Sequence, residues 1–375
     1  MGRLDNNTEE EIMSGIVADN VDRASGVVTA AAAGPTISAS DPTITTNATL
    51  GTQWANSTSG EFYVCTDATA DANVWTNVGS GEDNIAPYTF QGTNYGFCMA
   101  GYAGGARINV IERYSYASDG NAADYADLTV SRDASSGSHS ATYGYCAGGE
   151  TPTKSNVLDK FPFASASNAT DVGDLTVARS KSAGHTMETH GYASGGENGG
   201  NSNVIDKHSL SSDGNSSDVG DLSSGRAYVS GSSSSDNGYS AGGTTGSVVN
   251  TIDKFAFASD GNGSDIADLL AAINGTAGTC STNHGYASGG YTSGYVDTIQ
   301  KYTYASDSDS TDVGNISTGR AYVAGTSFTT HGYTHAGWTG SYFNVIEKHA
   351  FASDGDASDV GDLTAGKFNA TGTED

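Results

Sequence analysis

The chain has 375 residues, room for one large domain and something small beside it. It carries 43 acidic against 16 basic residues, a formal net charge of −27, which all but excludes nucleic-acid binding, since that depends on Lys and Arg neutralising phosphates. The acidic excess favours solubility and suits a salty medium that screens self-repulsion. Only 36% of residues are hydrophobic, a level that by itself suggests disorder. However, 51 Gly, 20 Tyr and 11 Phe fall largely within regular phrases, which predicts many short strands joined by tight turns.

Residues 1–35 read as an arm. Thr8-Glu9-Glu10-Glu11 has the form of a capping box, and Ile12, Met13, Ile16, Val17 and Val21 follow at near-helical spacing. A short amphipathic helix near 8–22 is expected, ended by Ala30-Ala31-Ala32-Ala33-Gly34-Pro35. Its single apolar stripe needs a cover, either another protein or the next module. The start lacks the apolar core of a signal peptide, and no later run approaches a membrane span, so neither simple secretion nor membrane insertion is expected.

Residues 36–80 form a second unit, a small β module. Gln53-Trp54-Ala55-Asn56 leads through a Ser-Gly turn into Phe62-Tyr63-Val64-Cys65, and Asn73-Val74-Trp75-Thr76-Asn77 supplies a further strand. Trp54 and Trp75 are expected to close a very small core. The phrases Trp-x-Asn, Ser-Gly-Glu, Tyr-Val-Cys-Thr-Asp and Asn-x-Trp resemble the little β modules of bacteriophage tail-fibre and other virion proteins. Paired Trp also resembles small carbohydrate-binding modules.

Residues 81–375 hold repeats. His284-Gly285-Tyr286-Ala287-Ser288-Gly289-Gly290 recurs at His190–Gly196 and, more loosely, at four other places. The leading glycines stand at 96, 144, 191, 238, 285 and 332, a period of 47 or 48. After each phrase come a variable loop and an alternating strand such as Asn203-Val204-Ile205-Asp206-Lys207-His208. An Asp-Gly turn, a fourth segment and a strand led by Arg132, Arg179, Arg226, Arg320 or Lys367 follow, with Ile273 interrupting that basic series. Four short strands per repeat predict a six-bladed β-propeller. The Gly-Gly and Arg-led strands resemble the kelch repeat over nearly 290 residues, without its usual Trp. The expected class is therefore all-β: a six-bladed kelch-like β-propeller preceded by a small β module and an N-terminal helical arm. The last strand, Gly366–Gly372, is expected to pair near 95–101, with Tyr88–Gln91 as a competitor for that place.

No catalytic constellation or phosphate loop is present, and no enzyme is expected. Cys65, Cys98, Cys146 and Cys280 read as free thiols rather than a disulfide framework or zinc site. His190, His284 and His331 share a position with Tyr95, Tyr143 and Asn237, which suits a hydrogen-bonding place in the strand. Asp213 and Asp218, Asp260 and Asp265, and Asp354, Asp356 and Asp359 bring oxygen ligands together in the turns; calcium is one occupant and a plain hairpin the other reading. Variable loops at 150–155, 197–202, 244–249 and 291–296 are candidate contacts. Tyr291, Tyr295, Trp338, Tyr342 and Phe343 give the last two repeats the most aromatic surface, either for stacking sugars or for covering the sheets.

The resemblance at 53–79 implies a bacteriophage virion protein, a tail-fibre or similar appendage. Residues 1–80 would attach to other virion proteins, and the repeat region would face a host-surface glycan or protein, in a monomer or a homo-oligomer. A purely structural decoration protein and a cellular kelch-like adhesin are the alternatives.

Overall fold

Alternating apolar and polar residues, broken every few positions by Gly, Asp or Asn, make strands, and strands are the only regular elements among the described residues. The computed structural model describes residues 34–78 and 90–375. The chain divides into two units, residues 1–88 and 89–375.

In the first unit, β1 (Thr36–Ser38), β2 (Gln53–Asn56), β3 (Phe62–Asp67) and β4 (Val74–Asn77) form one sheet in that order, with β1 parallel to β2. Trp75, Tyr63 and Cys65 are buried together, and Trp54 packs edge-on to Trp75 at 6.0 Å. Buried Asn73 ties the loops around this core: its amide donates to Asn47 and to the Thr69 carbonyl, and its Oδ1 accepts from Ala48 N.

The expected class of the whole chain needs correction. The described residues contain 29 strands in seven separate sheets of four or five strands, none closed on itself, and no helix; strand pairing does not resolve a six-bladed propeller. The helix expected at 8–22 lies outside the described residues. One physical source of the difference is the first repeat, where Gly104 and Gly105, at φ 57° and 88°, fold the chain back so that Tyr102–Ala103 pairs with Ala106–Arg107. This turns a four-strand unit into a five-stranded sheet that borrows Thr371–Glu374 from the far end of the chain. The borrowed strand pairs with Tyr95–Met99, where its place in the repeat led us to expect it. Of the expected competitor, Phe90 and Gln91 lie elsewhere, and Tyr88 and Thr89 are outside the described residues.

The other repeat sheets have four strands each, as in Ala183–Thr186, His190–Ser194, Val204–Ser209 and Ser217–Asp221. The first strands of successive sheets are neighbours. Thr371–Glu374 lies beside both Ala324–Ser327 and Ser136–His139, so the succession returns to its start. At the point of closest approach stand Gly137, Gly184, Gly231, Gly278, Gly325 and Gly372. A Cβ on any of them would lie 1.9–2.4 Å from the carbonyl oxygen of another member of the six.

Aromatic rings join the sheets further out. Tyr192 stacks on Phe257 at 4.8 Å, Tyr239 on Tyr304 at 4.3 Å, Tyr286 on Phe351 at 5.0 Å and Phe97 on Phe163 at 5.0 Å. Such pairs contribute about 0.5–1.5 kcal/mol each beyond their burial. Charge is buried between the layers as well. Arg179 pairs with Asp206 at 2.8 Å, Arg226 with Asp253 at 3.1 Å and Arg320 with Glu347 at 2.8 Å; Arg132 pairs with Asp159 and Lys367 with Glu112 in the same way. Each acid also accepts from a backbone N–H at the end of the preceding sheet, as Asp206 does from Thr176. A desolvated charge is tolerated best when it is paired and hydrogen-bonded; all five pairs are made, while Arg226 Nε and Nη1 and Asp253 Oδ1 have no hydrogen-bond partner.

Candidate ligand-binding site

The six waist glycines separate two cavities on the line about which the sheets succeed one another. The lower cavity, about 70 Å³, is lined by His139, Thr186, Ser233, Cys280, Ser327 and Glu374, and by Phe90. Phe90 is buried, the neighbouring Gln91 amide donates to the Cys280 carbonyl at 3.0 Å, and Gly92 N donates to Ser327 O. Phe90, Gln91 and Gly92 are thus packed against this end of the repeat unit. Burial pushes the Glu374 carboxyl up to about 8 and holds the His139 imidazole down at about 4, so both are uncharged near neutrality.

The upper cavity is larger, about 140 Å³. Its outermost lining comes from one residue per repeat: Ala134, Lys181, Tyr228, Gly275, Tyr322 and Asn369. All six have left-handed backbone, φ between 51° and 66°. For a non-glycine residue that conformation is costly, and it persists here because the strand that follows is fixed by its neighbours. The variable loops reach the same end, since their first residues are bridged to the residues just before the rim: Glu150 to Asp133, Glu197 to Ser180, Tyr291 to Asn274 and Trp338 to Ala321.

This end has two unlike halves. On one, Arg107 pairs with Asp133 (2.7 Å) and Glu150 (2.9 Å), Lys154 with Glu150 (2.6 Å) and Glu197 (3.7 Å), and Lys181 with Glu197. The other half is aromatic. Tyr228 and Tyr322 lie 5.0 Å apart, and Tyr322 lies 6.0 Å from Phe368. Trp338 and Tyr342 both pack on Phe368, at 5.3 and 5.9 Å. The Lys181 ammonium, 4.8 Å from the Tyr228 ring, joins the halves.

The structure therefore brings Trp338 and Tyr342 into one array. Tyr291 and Tyr295 pair with each other at 5.3 Å, and their phenols, with that of Tyr228, help to raise the Tyr322 hydroxyl, although burial is the larger cause. Phe343 is placed differently: the buried Arg320 guanidinium lies over its ring at 5.5 Å, making it part of the sheet. Sequence reasoning missed Tyr228, Tyr322, Phe368, Lys181 and Asn369. The signal was present at the third place of each Arg-led segment, where two Tyr, a Lys and an Asn interrupt otherwise small residues.

The acidic turns are engaged within the fold. Asp213, Asp260 and Asp354 pair with Lys160, Lys207 and Lys301 of the preceding sheet at 2.5–2.6 Å. Asp356 accepts from Asn315 N, Asp218 and Asp359 accept from Gly220 N and Gly361 N, and Asp265 from Ala267 N. Among the described residues no three or more His, Cys, Asp or Glu side chains gather as a metal site. His190 and His331 bond the neighbouring threonine hydroxyls through Nδ1 at 2.8 Å. All four cysteines are free and buried.

No protein-family model and no curated protein matches this chain. The kelch and tail-fibre resemblances thus rest on the quoted residues alone, and the upper cavity and its aromatic half carry the functional argument.

Proposed function

We propose that the protein is a bacteriophage virion appendage, a tail fibre or similar part, that presents the loop-bearing end of its repeat unit to a host-surface glycan. The observation that carries this reading is the aromatic array from Trp338 and Tyr342 through Phe368 to Tyr322 and Tyr228. Half-exposed rings offer flat apolar faces to the C–H face of a sugar, and their polar tips remain free to hydrogen-bond. The small β module would then be the attachment to other virion proteins.

Cryo-electron microscopy of particles from the source tests this directly. The expected result is residues 34–78 against other virion proteins, with the loop end facing solvent and Trp338→Ala particles adsorbing poorly to host cells. A loop end packed between virion subunits would instead make the protein a structural decoration. Absence of the chain from particles would end the virion reading.

A further inference from the structure

We infer that the upper cavity is a subsite for one uncharged sugar ring, the terminal residue of the glycan, with Tyr228 and Tyr322 as its stacking faces. The inference rests on the glycan reading above and adds to it the place and chemical class of the residue bound. Three observations carry it.

The first is size and access. A cavity of about 140 Å³, close to the roughly 150 Å³ that takes up benzene, has room for part of one sugar ring and not for an oligosaccharide. The waist glycines stand between this cavity and the smaller one that Phe90 lines, and the rim of the upper cavity lies at the loop end.

The second is unmet polarity. Ser182 lines the cavity, is 7% exposed, and its Oγ has no hydrogen-bond partner. The equivalent Ser135 hydroxyl is paired with Thr371 Oγ1 at 2.7 Å. A buried hydroxyl without a partner costs about 1–3 kcal/mol, so a polar group brought within its reach would be stabilising.

The third is charge. Three cations, Arg107, Lys154 and Lys181, face three carboxylates, Asp133, Glu150 and Glu197, in one network of ion pairs. The network has no charge left over to recruit an acidic or amino sugar, while its carboxylate oxygens and the Asn369 amide accept from and donate to neutral hydroxyls.

The test uses the full chain and ligand-observed NMR with glucose, galactose, N-acetylglucosamine and glucuronic acid. At least one neutral sugar is expected to bind. Joint Tyr228→Ala and Tyr322→Ala substitution is expected to weaken it roughly tenfold or more. These substitutions copy Ala134 at the equivalent left-handed position, which protects the fold. Ser182→Val should weaken the same sugar, Trp338→Ala should weaken it less than the tyrosine pair does, and Gly294→Ala, with nothing within 4 Å of the added carbon, should leave it bound. Binding lost in Trp338→Ala but retained in the tyrosine variant would overturn the cavity assignment while leaving glycan recognition standing. Preference for glucuronic acid, or no binding by any sugar of the set, would overturn the inference.

Discussion

Lys367 and Glu112, separated by 255 residues, form an ion pair in which neither side chain is more than 1% exposed. Glu112 also accepts from Thr364 N, so the first and last repeats meet on one carboxylate. Lys367→Met leaves that carboxylate buried without its cation and should destabilise the protein by about 3–5 kcal/mol in denaturant unfolding. Adding Glu112→Gln should recover most of the loss. A double variant no better than the single one would mean that the lysine acts by packing alone.

The fifth repeat has already made a neutral exchange of this kind. Ile273 stands where the other repeats have a base, and Gln300 stands where they have an acid. The Gln300 Oε1 still accepts from Leu270 N at 2.7 Å. Gln300→Glu alone should therefore cost several kcal/mol, about the penalty of an unpaired buried charge. Ile273→Arg in the same chain should restore much of it. A double-mutant cycle measures the coupling, and additivity would refute it.

Stability should pass through a maximum near pH 6.5. Buried Glu374, with its pKa at about 8, holds a proton in the folded state that the unfolded chain releases near 4.5. Its contribution is therefore full below 4.5 and is lost as pH rises toward 8. Buried His139, His185, His208 and His349 at about 4, and His335 at about 3, have the opposite sign. They stay neutral when folded and take up protons when unfolded, so their contribution is full above 6.5 and is lost on acidification. Thermal melts from pH 4 to 9 read both limbs, and Glu374→Gln should flatten only the alkaline one.

Gly231→Ala should destabilise by about 1–3 kcal/mol or prevent folding, because the new methyl would lie 2.3 Å from the Gly184 carbonyl oxygen, a backbone atom with nowhere to go. Gly294→Ala, with nothing within 4 Å of the added carbon, is the control and should be near neutral. Equal melting temperatures for the two would contradict the close approach at the waist.

Much of this architecture was legible in the chain because it is written six times. The period placed Ala183–Thr186 and its equivalents, the alternation in Val204–Ser209 gave the buried and wet faces, and the last strand's partner followed from its place in the repeat. What the period concealed were departures from it. Gly104 and Gly105 redirect the first repeat locally, and a count of strands per repeat cannot register that. The acidic turns looked like ligand cages because Asp and Asn were read within one turn. Their partners, Lys160 for Asp213 and Asn315 for Asp356, lie 53 and 41 residues away in the neighbouring sheet. The aromatic site was half visible: Trp338 and Tyr342 stood out in a loop, whereas Tyr228 and Tyr322 were hidden in segments read as uniformly small.

Each rim residue, from Ala134 to Asn369, sits two residues before a strand of the repeat sheets. Six independent positions therefore face one small space while the framework beneath them stays constant. Ala, Lys, Tyr, Gly, Tyr and Asn already occupy those places, so the backbone accepts small, charged, aromatic and amide side chains alike. Exchanges at 134, 181, 228, 275, 322 and 369 work like the tumblers of a combination lock. Side chains at these places can be exchanged one at a time without rebuilding the framework that holds them.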